Sequence, residues 1–173
     1  MRQVPARIAL LLALAIAAPC ATSAAEPAPA PPASAARVEV SGAGLDPLAL
    51  GAAELAKLPR HAVKGSDHGV EAAFEGVSLA DVLALAGAPL GKALRGEALG
   101  LVLVVGAADG YRAVFALAEL DPAFTDRVVL LADRRDGKPL SGAEGPFRIV
   151  VPGEKRQARW VRQVTSLHLR AAE

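Results

Sequence analysis

Hydrophobic and polar positions alternate along most of the chain from residue 37 onward, and two-residue periodicity is the mark of a half-buried strand. "RVEVSG" (37–42) is the first such stretch. "HAVKG" and "VEAAFEG" form a second and third, joined through the turn residues "SDHG" (66–69). "ALGLVLVVGA" breaks the alternation: it is an unbroken apolar run with β-branched content, which predicts a strand buried on both faces. "ADGYRAVF" turns through Asp-Gly into another strand, and "RVVLLADRRDGKPL" carries a second Asp-Gly turn. "FRIVVPG" and "VRQVTSLHLR" complete a set of about eight strands.

Helical spacing is rarer. "LGAAELAKLPR" has the spacing of a short helix stopped by Pro59, and "ALAEL" makes a brief one. The clearest is "SLADVLALAG": Ser78 suits an N-cap, Asp81 follows three residues later, and Gly87 suits the stop. Leu79, Val82, Leu83 and Ala86 fall on one apolar stripe. With no regular βαβ repetition, the pattern predicts an α+β domain, mostly β in mixed sheets, with two or three short helices.

The first 36 residues have a different grammar. Arg2 and Arg7 precede an apolar run from Ile8 to Ala18 and then small residues, the anatomy of a secretory signal peptide over 1–25, cut after Ala25. The run is too short to span a membrane as a stable helix. Pro19 fits poorly before a lipid-acceptor Cys20. "EPAPAPPASAA" (26–36) reads as an extended Pro/Ala linker, leaving 37–170 as the folded domain. The expected location is the periplasm.

Export changes the chemistry. Arg2 and Arg7 leave with the signal, so 17 of 19 basic residues remain against 18 acidic ones, a net charge of −1. Cys20 is the only cysteine, so the mature chain has no thiolate ligand or nucleophile and no disulfide. Near-zero charge and six aromatic side chains give no footprint for nucleic acid. An anion site must therefore be local.

One stretch concentrates cations. Arg148 lies on the strand before the Pro152-Gly153 break; Lys155, Arg156 and Arg159 follow it, beside the sole tryptophan, Trp160. Convergent cations make a phosphate or carboxylate site, and Trp160 could wall it. The same residues also read as a solvated cationic surface with Trp160 plugging the core. Asp67 and His68 form a possible orienter and proton carrier, or an ordinary turn. Tyr111 and Arg112 offer a hydroxyl and a cation, or a packed hairpin. Asp133 is placed for the rim of a site; His61 and His168 look structural, and no spacing makes a metal site.

Taken in order, "FEGVSLADVLALAG", "ADGYRAVFALAEL", "VLLADRRDGKPL" and "GPFRIVVPGEKRQARWVRQVTSLHL" resemble the molybdopterin-binding domain of the sulfite-oxidase superfamily over residues 37–170. The resemblance implies a mixed α+β fold holding a pyranopterin, with Arg148 and Arg159 at the positions that bind the pterin phosphate, and Lys155, Arg156, Trp160, His68, Asp67, Tyr111 and Arg112 around the ligand. It also exposes departures. The metal-binding cysteine of that family has no counterpart in "HAVKGSDHGVEAAF", where Gly65, Ser66 and Asp67 stand; the active-site tyrosine position holds Asp133, and a histidine position holds Glu144. Hydroxyl or carboxylate substitutes poorly for thiolate at a soft, high-valent metal. Small exported members of the superfamily bind pterins without molybdenum and signal to a membrane partner, and this chain is similar to those. Three functions follow as expectations: a non-catalytic pterin or molybdopterin module facing a membrane sensor; a molybdenum cofactor oxidoreductase using Ser66, Asp67 or His68, or completed by another subunit; and an interaction protein that has kept the fold and lost the pocket.

Overall fold

The computed structural model describes residues 36–172; the expected signal peptide (1–25) and all but the last residue of the expected linker (26–36) lie outside the described residues. Ten strands build two five-stranded sheets. The first sheet has the order β2 (Leu48–Leu50), β1 (Val38–Gly42), β10 (Val164–Ala171), β5 (Leu101–Ala107), β6 (Arg112–Ala116). Within it β1 and β10 run parallel, and the other neighbours are antiparallel. The second sheet has the order β3 (Arg60–Asp67), β4 (Val70–Ser78), β7 (Leu130–Arg135), β8 (Lys138–Pro139), with β9 (Arg148–Val150) paired to β7.

Helix α2 (Leu79–Leu85) follows β4 directly, and the expected cap is present: Ser78 Oγ accepts the Asp81 N–H at 2.9 Å. Leu79, Val82 and Leu83 are buried, as is Ala86 just past the helix. Gly87 takes φ +83°, the left-handed conformation that ends the helix at little steric cost. The inner faces of both sheets and the α2 stripe share one core, which includes Val40, Phe74, Leu83, Leu103, Phe115, Ile149 and Leu167.

Three features differ from the sequence expectation. Helix α1 is a single turn, Ala52–Leu55, within the expected 50–60 segment: Leu50 pairs with Val38 of β1 as a strand, and the chain turns out of the helix after Leu55. The last strand begins at Val164, not Val161, since Gln163 adopts φ +49° and turns the chain. Strand β5 is not buried on both faces. Leu103 and Val105 point into the core, while Val102 and Val104 are only half-buried, because the first sheet packs one face on the core and leaves the other open.

Candidate functional site

The β3–β4 hairpin turns on two residues, His68 and Gly69, with φ of +51° and +84°, a pairing that matches the twist of the flanking strands. Asp67 is consequently the last residue of β3 rather than part of the turn. It points inward on the same side as Gly65 and is buried. His68 stays outside, with its side chain 75 % exposed.

Beside this turn lies a cleft of about 400 Å³, lined by His68, Ala107, Asp109, Tyr111, Arg148, Gln157, Ala158, Trp160 and Arg162. Its walls come from three loops tied together. Tyr111 donates its hydroxyl proton to the Ala158 carbonyl at 2.7 Å, and Gln157 Nε2 donates to the Ser66 carbonyl at 2.5 Å. Trp160 is buried, donates Nε1–H to Val151 at 3.0 Å, and meets Phe74 edge-on with centroids 5.6 Å apart. A second hollow, about 640 Å³, shares His68, Gln157 and Trp160 with the cleft and adds Lys64, Ser66, Glu71 and Lys155. Trp160 is thus both the core plug and a wall.

Beneath the cleft is a four-charge cluster. Arg148, at 1 % exposure, donates Nη1–H to Asp67 Oδ2 at 2.9 Å and also bonds Glu144. Arg135 reaches the same two carboxylates at 3.2 and 3.1 Å. The Arg148 guanidinium lies 5.3 Å from the Phe74 ring centre and 5.4 Å from that of Trp160, within cation–π range. The Arg148 hydrogen bond holds the Asp67 carboxyl below the ordinary carboxylate range; burial opposes this, and the charges of Arg148, Arg135 and Arg162 add to it. Asp67 Oδ1 and Arg148 Nε are buried with no hydrogen-bond partner among the described residues.

The structure gathers some of the sequence-derived candidates and disperses others. His68, Tyr111, Trp160 and Arg148 line one cleft, with Asp67 directly beneath and Lys155 in the adjoining hollow. Arg159 lines neither cavity. It bonds Glu154 at 2.8 Å and Glu119 at 2.8 Å, with its guanidinium 4.6 Å from the Phe115 ring centre. Burial works against its charge, but the bonds from Glu119 and Glu154 outweigh that and raise its pKa above the ordinary value. Arg156 is exposed and lines neither cavity, and Arg112 faces the open side of the first sheet. Asp133 is held by Arg60 through two bonds, at 2.6 and 2.8 Å. His61 bonds Asp81 and His168 bonds Ser41.

Arg162 and Gln157 line the cleft and were not singled out in the sequence. Arg162 reads there as an ordinary strand residue, and only the Gln163 turn brings it to the rim. Arg162, Lys64 and Lys155 form no ion pair among the described residues, unlike Arg148 and Arg159.

The donor set near the hairpin does not suit a thiolate-bound metal. No group of three His, Cys, Asp or Glu side chains among the described residues could hold a metal ion. Asp67 is engaged by two arginines, and a Cβ at Gly65 would lie 2.5 Å from the Trp160 ring. The ring therefore occupies the space a side chain at 65 would need.

Comparison with known proteins agrees with this geometry at the level of the domain. No curated protein matches the sequence. Among solved structures, the sulfane dehydrogenase SoxCD from Paracoccus pantotrophus superposes with a TM-score of 0.63 at 21 % identity, over 82 % of this chain and 40 % of that one, a likeness of fold. This chain therefore spans well under half of that neighbour's length. The family described as oxidoreductase molybdopterin binding domain matches residues 26–173, and the chain belongs to that family.

Proposed function

We propose that this chain is an exported module that binds a pterin, or the pterin part of molybdopterin, without redox chemistry of its own, and that its occupancy is reported to a membrane sensor. The observation that carries the proposal is the fate of Asp67. In the hairpin where the resemblance puts a metal ligand, the carboxylate is tied to Arg148 and Arg135, beneath a cleft whose walls are intact. A hollow of about 400 Å³ is within the usual size of small-molecule sites. Trp160 and Tyr111 offer ring surface; Arg162, and Lys155 across Gln157, offer unpaired cations for an anionic tail. When bound, a molybdenum centre would supply two-electron redox chemistry, and nothing in the donor set holds one by thiolate. Signalling requires that the ligand bind one of two conformations more tightly.

Trp160 provides the assay, being the single tryptophan and a wall of the cleft. Titration of the purified exported protein with reduced pterins, with and without a phosphate, is expected to give saturable quenching in the micromolar range. No binding at high micromolar concentration refutes the proposal. Stoichiometric molybdenum with a redox-active spectrum in protein from its native host would instead support the oxidoreductase reading.

A further inference from the structure

The open face of the first sheet has an organisation that ligand binding in the cleft does not use. Its outward residues line up across β10, β5 and β6 in three rows: Arg170–Val102–Ala116, His168–Val104–Val114 and Ser166–Gly106–Arg112. The middle is apolar, with Val114 47 % exposed and Val102 and Val104 half-buried. Arg112, His168 and Arg170 stand around it. At Gly106 the Ser166 hydroxyl occupies the space a Cβ would need. The result is a groove of about 510 Å³ whose lining contains no carboxylate. On the same face Glu39 lies on β1, separated from Gly106 by β10.

We propose that this groove docks an acidic polypeptide segment with small apolar side chains, supplied by a partner protein. Two properties of the groove argue for this occupant. The run "LVLVV" has the composition of a strand covered on both faces, yet two of its three valines, Val102 and Val104, face outward and remain partly open. The rim is cationic: Arg112 and Arg170 form no ion pair among the described residues, so a complementary surface brings carboxylates to them. A membrane fits less well, because no Trp, Phe or Leu extends from the groove and membrane-surface faces use such side chains. The cleft and the groove lie on opposite sides of the same hairpin: Ala107 and Tyr111 face the cleft, Gly106 and Arg112 the groove.

The test uses the full exported chain and a fluorescent peptide of about ten residues alternating Glu and Val, with a Lys–Val peptide of equal length as control. Anisotropy is expected to show the acidic peptide binding at least about tenfold tighter, an advantage that shrinks at about 0.5 M salt. Val114→Asp and Arg170→Glu each reduce that binding about tenfold, with far-UV circular dichroism unchanged; Arg112→Gln serves as a milder second variant. Equal affinity for the two peptides overturns the proposal, as does indifference to all three substitutions. Concentration-dependent dimerisation abolished by Val114→Asp would assign the face to a second copy. Co-sedimentation with anionic phospholipid vesicles abolished by Arg170→Glu would assign it to a membrane. Either result overturns the proposal.

Discussion

Replacing Arg148 by methionine isolates the cluster under the cleft. Arg148 is 1 % exposed and holds Asp67 and Glu144, which are 5 % and 14 % exposed. Removing one partner of a buried ion pair typically costs about 3–5 kcal/mol, because the other charge stays in a poorly solvating site. Arg135 remains 3.2 and 3.1 Å from the same carboxylates and takes up part of the charge, so the expected loss is about 2–3 kcal/mol. With a urea m-value of about 1.5 kcal/mol/M, the midpoint falls by about 1.3–2 M. The double variant Arg148→Met/Asp67→Leu is expected to recover part of that loss, as paired removal of buried charges does.

Acid adds a second axis to the same measurement. The Asp67 carboxyl is held below its ordinary value in the folded state, chiefly by the Arg148 hydrogen bond. Its contribution is therefore complete above the unfolded-state pKa of about 3.9, and it is lost as pH falls through the lower folded-state value. The acid limb of the stability profile should be steeper in the wild type than in Arg148→Met. A single-variant loss under about 0.5 kcal/mol, or parallel acid limbs, would show that the four charges are not coupled as their geometry requires.

Gly65→Cys places a Cβ 2.5 Å from the Trp160 ring; the domain should lose about 1–3 kcal/mol and show altered near-UV dichroism, and molybdenum content measured after expression should not rise. Arg162→Ala should weaken binding of a phosphate-bearing pterin about tenfold and flatten its salt dependence, read from Trp160 fluorescence. Arg159→Gln should cost no more than about 1 kcal/mol in thermal or urea unfolding, since its ion pairs are about 30 % exposed on the arginine side.

The strands were legible because their information is local. Alternation marked β1, β3, β4 and β10, and Asp-Gly dipeptides marked two of the turns. The three-residue strand β2 went unread, and its last residue, Leu50, was placed at the start of a helix, because a short ladder with β1 leaves almost no periodicity to read. The site was legible only where chain order and space coincide. His68, Tyr111, Arg148 and Trp160 reach one cleft, yet the partners of Arg148 lie 4 and 81 residues away. Arg159 looked equivalent to Arg148 in sequence, but Glu119, 40 residues away, holds it beside Phe115. No single-chain pattern shows which cations are already neutralised.

That difference decides where an anion would bind. The cluster of Arg148, Arg135, Asp67 and Glu144 carries two charges of each sign, so its field at a distance largely cancels. For Arg148 to grip a phosphate, the ligand would have to displace Asp67 or Glu144 and leave a carboxylate buried without its partner, at a cost of several kcal/mol. Arg162 and Lys155 face water with no carboxylate to displace. A ligand tail held at the rim sits in high dielectric and is screened by salt, whereas one held by Arg148 would not be. The ionic-strength dependence of pterin affinity therefore separates the two modes, and this fold predicts a steep one.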